Sequence, residues 1–143
     1  MQNFEETYKR ILDNSYETNL TIARIALDAL LGVLPNETAE EKSISHWIIA
    51  GLCFNIIASD GQINENEVKF FNELMSANYD EKTIKDRMGA FQNESQSLFE
   101  TIRDYKDEIK DNFLILAMCF AAVDGSITEE ELSVLRQINE ESN

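Results

Sequence analysis

Residue n and residue n+64 fall into register along much of this chain, and that internal repeat constrains the fold more than any other feature. Leu52, Ala58, Asp60, Gly61, Ile63, Glu65 and Glu67 lie over Leu116, Ala122, Asp124, Gly125, Ile127, Glu129 and Glu131. Val68, Phe71 and Leu74 lie over Leu132, Leu135 and Ile138. Each copy reads as an apolar helix, the turn D-G-x-I-[NT]-E-x-E, and an amphipathic helix. Residues 47–54 are apolar on every side, so their helix has no face to give to water and belongs at the centre. Two hairpins of this kind bury both central helices by pairing them. The expected fold is therefore an all-α helical bundle with an internal duplication of two helix-turn-helix hairpins.

The other segments fit around that core. Helical periodicity predicts an amphipathic helix over 3–14 and a more apolar one over 20–34, ended by Pro35, because the residue before a proline disfavours helix. Residues 36–42 read as a polar connection. The first hairpin spans 43–59 and 64–77. A polar helical region runs from Asp80 to about Tyr105, interrupted near 89–93, and the second hairpin begins at 111–123. No sustained period-two alternation supports a strand. At 143 residues the chain is the size of one domain, with 1–42 as an N-terminal helical segment and 43–140 as the duplicated core. If the segment belongs to the bundle, Leu20, Ile22, Ile25, Leu30 and Leu34 should be buried.

Charge narrows the functions. Twenty-seven acidic side chains against 12 basic ones leave a formal charge of -15. The basic residues are scattered singly among carboxylates, so the clustered Lys and Arg that neutralise phosphates are missing and nucleic acid is disfavoured. Anionic membrane surfaces are repelled for the same reason. Cations and basic protein surfaces are the partners such a surface attracts. The start of the chain lacks a basic region leading into an apolar stretch, and the longest apolar run, 113–123, is far short of the ~20 residues that span a bilayer. The expected location is the cytoplasm, without direct membrane insertion. Cys53 and Cys119 sit in apolar helical stretches with no C-x-x-C spacing and read as buried structural thiols. His46, the single histidine, has no zinc-spaced companion on its helix face. No G-x-S-x-G, H-E-x-x-H or phosphate-cradling glycine loop is present, so the expectation is a protein that is not an enzyme.

The repeated turn resembles the second half of a calcium-binding EF-hand loop, with Asp60 or Asp124 at position 5, Gly at 6, Ile at 8, and Glu67 or Glu131 at 12. Positions 1 and 3 depart from it, because Ile56 and Ala58, or Phe120 and Ala122, carry no side-chain oxygen. A hard cation such as Ca²⁺ would be held weakly, near the ~millimolar end of the range, unless carboxylates from elsewhere complete its shell. Helix punctuation accounts for the same residues. Gly61 and Gly125 suit a left-handed helix end, Asn64 and Thr128 are N-caps, and Glu67 and Glu131 stand where a capping box places them. Ile63 with Val68, and Ile127 with Leu132, supply the apolar staple.

An apolar helix carrying A-x-D-G-x-I-x-x-x-E ahead of an amphipathic helix, present twice, resembles the tellurite-resistance TerB-like domain, which also occurs as a regulatory module in a membrane-anchored DnaJ-type co-chaperone. The similarity covers about 43–140. It implies an all-helical bundle without catalytic activity, an acidic surface that holds divalent cations, and a role in stress-linked or membrane-associated complexes. Carried over by position, the metal residues are Asp60, Glu67, Asp124 and Glu131, and no catalytic or cofactor-binding residue is implied. The other reading is a structural or oligomerisation domain, a homo-oligomer whose turns only cap helices. Catalysis by carboxylates in a cleft is the third and least supported.

Overall fold

The computed structural model describes residues 3–32, 34, 37–57, 65–90, 107–124, 133 and 135–136. Every regular element among them is helical: α1 (Phe4–Asp13), α2 (Tyr16–Leu31), α3 (Ala39–Ile57), α4 (Glu65–Met75), α5 (Glu81–Ala90) and α6 (Asp107–Ala121), followed by a 3-10 turn at Ala122–Asp124. The all-α expectation holds. Among the described residues, no helix is long and apolar enough to cross a membrane.

Local chemistry sets the boundaries. Ser15 starts α2 by accepting a hydrogen bond from the Thr18 backbone N–H at 3.2 Å, so this helix begins four residues before the apolar run that predicted it. The segment 36–42, expected to be a connection, instead contains the start of α3. Thr38 Oγ1 accepts from the Glu41 N–H at 3.1 Å, and Glu41 Oε1 accepts from the Thr38 N–H at 3.2 Å, a complete capping box. Asp80 caps α5 through the Thr83 N–H at 2.7 Å, and this hydrogen bonding holds its carboxyl below the usual carboxylate range. α4 ends on Ser76, whose φ of 53° is left-handed, with the Ala77 N–H reaching back to the Asn72 carbonyl at 2.8 Å.

α6 is the central element. Phe113, Leu114, Leu116, Ala117, Met118 and Cys119 are fully buried on it. It packs along α2 and against α3 and α1, so the apolar helices α3 and α6 do meet, while much of α6 is covered by the N-terminal segment. On α2, Leu20, Ala23, Leu27, Leu30 and Leu31 recur at helical spacing and are buried. Ile22 and Leu34 are partly buried, but Ile25 is 66% exposed, a correction to its expected burial. At about 100° per residue it falls on the face opposite the stripe. Asn19, also buried, ties α2 to the end of α1 by donating to the Ile11 carbonyl at 2.9 Å. Leu135, which the repeat places over Phe71, is buried as Phe71 is. Residues 91–93, Leu132, Ile138, the Asp60-Gly61 turn and Gly125 lie outside the described residues, and with them the backbone comparison that would establish the duplication in three dimensions.

Candidate functional site

Two of the four predicted metal positions lie on described backbone. Glu67 stands in the first turn of α4 with only 4% of its surface exposed. Asp124 closes the 3-10 turn after α6. Asp60 and Glu131, and the side chain of Asp124, lie outside the described residues. α4 packs directly against the 3-10 turn. The fold thus sets the glutamate-bearing helix of the first copy against the aspartate-bearing turn of the second. The same-loop pairs that sequence spacing suggested, Asp60 with Glu67 and Asp124 with Glu131, each include a residue outside the described ones. Among the described residues, no group of three or more His, Cys, Asp or Glu gathers as a ligand set.

Burial of Glu67 has a cause in the helix beside it. Val68 is half-buried, and Phe70 and Phe71, one turn further on, are fully buried, so α4 is pressed into the core from its start. Phe70 meets Phe120 of α6 edge to face at 4.9 Å and Tyr16 of α2 at 5.8 Å. These contacts hold α4 against the end of α6, and they carry the carboxylate inward. The N-terminal end of a helix favours negative charge, which offsets part of the cost of burying it. Glu67 is engaged by its surroundings, as is Lys110, a fully buried lysine near the start of α6. Sequence reading missed Lys110. Its position beside Asp111 at the mouth of an apolar run resembles an ordinary helix start, and only packing shows that the chain closes over it.

The cysteine expectation is met for Cys119, which is a free thiol at 0% exposure, its pKa pushed up to about 12 by burial. The side chain of Cys53 lies outside the described residues. Tyr16 is raised to about 12 as well, first by burial and then by the nearby Glu73 carboxylate. His46 occupies the wall of a separate cavity between α3, α4 and the segment 76–80. Its Nδ1 lies 2.7 Å from the Lys42 carbonyl oxygen.

Comparison with known proteins bears on the whole arrangement. The family model described as "Tellurite resistance protein TerB" matches residues 46–141, about two thirds of the chain. No curated protein and no solved structure gives a significant match.

Proposed function

The chain belongs to the TerB family, and from that premise we propose that it is a non-catalytic, tellurite-resistance-related module that takes a divalent cation where its two halves meet and binds protein partners through its acidic surface. The observation that carries the reading is the burial of Glu67 on a helix packed against the turn that bears Asp124. A glutamate that only caps a helix can do so at the surface. One at 4% exposure, on a helix packed against the turn that bears Asp124, supports reading Glu67 as half of a carboxylate pair drawn from both copies. This arrangement supplies what a single loop lacks, since positions 1 and 3 of each turn have no oxygen ligand and a hard cation takes about six to eight. Asp60 and Glu131 are the remaining carboxylates proposed for the shell. A formal charge of -15 raises the local concentration of cations and favours partners with basic surfaces.

Thermal unfolding of chelator-treated protein tests the reading. Ca²⁺, Mg²⁺ or Mn²⁺ should raise the Tm progressively up to roughly millimolar concentration. Glu67→Gln and Asp124→Asn should each remove most of that ion-linked rise. If the Tm stays flat to about 10 mM of every ion, ten times the weak end of the EF-hand range, the cation proposal is lost.

A further inference from the structure

A second cavity, remote in character from the acidic turns, has the opposite charge. It measures about 270 Å³ and lies between the start of α3, the end of α4 and the segment 76–80. Trp47, Phe71 and Met75 give it an apolar wall, and Tyr79 closes one side. Trp47 is held by ring contacts with Phe71 at 5.2 Å and with Tyr79 at 5.1 Å. Tyr79 is in turn pinned by Asn72, which accepts from its N–H and donates to its carbonyl, both at 2.8 Å. The wall is therefore built before any ligand arrives.

The polar side is cationic. Lys42 and His46 line the cavity four residues apart on one face of α3, and among the described residues no acidic side chain lines it, although acids outnumber bases by 27 to 12 in the chain. Arg87 lies over the rings of Trp47 and Tyr79 at 5.5 and 5.6 Å, adding a second positive charge to that of Lys42 beside the wall. Of the acids near it in sequence, Glu41 accepts from the Thr38 N–H, Asp80 from the Thr83 N–H, and Glu81 pairs with Lys85 at 2.9 Å, while Glu40 is exposed and does not line the cavity. Lys42 has no ion-pair partner among the described residues. With Nδ1–H of His46 donating to the Lys42 carbonyl, Nε2 is the nitrogen left to face a ligand.

We propose that this cavity binds an apolar monocarboxylate, its hydrocarbon or aromatic body against Trp47, Phe71 and Met75 and its carboxylate at Lys42 and His46. The volume is just under the ~300–1,000 Å³ of sites for drug-sized ligands, so it suits a body the size of one amino-acid side chain. Such a group can come as a free small acid or as the last residue of a polypeptide with its terminal carboxylate. The inference uses none of the acidic-turn residues and stands or falls apart from the cation proposal.

Trp47 is the only tryptophan in the chain, so intrinsic fluorescence reads the cavity directly. Titrating the full-length protein with 3-phenylpropionate should give a saturable change at roughly millimolar affinity, as fits a ligand of about a dozen heavy atoms. Its neutral amide should bind about tenfold more weakly, and Lys42→Met or His46→Ala should weaken the acid by a similar factor. Both side chains are at least partly exposed, so these variants should fold, and Lys85→Met should leave the titration unchanged. An acetylated tripeptide ending in phenylalanine, with a free terminal carboxylate, distinguishes the sources. Binding about tenfold tighter than phenylpropionate marks a polypeptide terminus, and equal or weaker binding marks a free acid. No saturable change to about 10 mM, or equal binding of acid and amide, overturns the proposal.

Discussion

At the scale of single residues, two positions make sharp predictions. Cys119 is buried without exposure and its pKa is raised to about 12 from an ordinary 9.0. The folded state therefore holds the thiol proton more tightly than the unfolded chain does. Its contribution to stability is fully present below about pH 9 and is lost as the pH climbs toward 12. Tyr16, raised to about 12 from 10.0, adds to the same alkaline loss. Urea unfolding across pH 8.5 to about 11 should show stability falling, and Cys119→Ala should flatten the fall. In a Cys53→Ser background the remaining thiol should react with a disulfide reagent only after denaturation. Ser76 is the other position. An L-residue in the left-handed region costs about 1–2 kcal/mol, and glycine's extra unfolded-state entropy takes back part of the relief. Ser76→Gly should raise stability by roughly 0.5–1 kcal/mol in the same assay.

At the scale of elements, the helices were legible where apolar periodicity and punctuation coincide, and less so where the capping residues stand apart from the apolar run. α1 and α6 follow from their stripes. The start of α3 was hidden because residues 36–42 look polar, although T-x-x-E in that segment is a capping signature that could have been read. Thr38→Ala should cost about 1 kcal/mol and fray the first turn of α3, visible as faster amide exchange there. The carboxylate positions were legible from the repeat, but the burial of Glu67 was not. It depends on Phe70 finding Phe120 and Tyr16, residues 50 positions later and 54 earlier. The cavity around Trp47 was illegible for the same reason. His46 alone suggests nothing, and its meaning comes from Phe71, Met75 and Tyr79 of another element.

At the scale of the whole molecule, the N-terminal helices cover the central helix of the second hairpin. α2 packs along α6 with Leu20, Leu27 and Leu30 buried, and Arg136 reaches back to Glu5 at 2.7 Å. That ion pair is half exposed and contributes at most about 1 kcal/mol, so the apolar contact between α2 and α6 decides the outcome. Leu27→Ala should cost about 2–5 kcal/mol, and a chain beginning at residue 37 should lose cooperative thermal unfolding by calorimetry. A truncated chain that unfolds as cooperatively as the full one would show those helices to be dispensable. The two ends of α4 differ as well: its start, with the buried Glu67, packs against the 3-10 turn after α6, and the cavity lined by Lys42, His46 and Trp47 lies at its far end. One helix thus joins the place proposed for a cation with the place proposed for a carboxylate.

The most direct test is to add substoichiometric Mn²⁺ to chelator-treated, ¹⁵N-labelled protein and record which amide signals are broadened. A cation held between the two copies should broaden residues 65–68 and 122–124 together and first, and Glu67→Gln should abolish that selectivity. Broadening spread evenly over exposed acidic residues such as Glu5, Glu17 and Glu81, with 65–68 and 122–124 no more affected than these, would contradict the account.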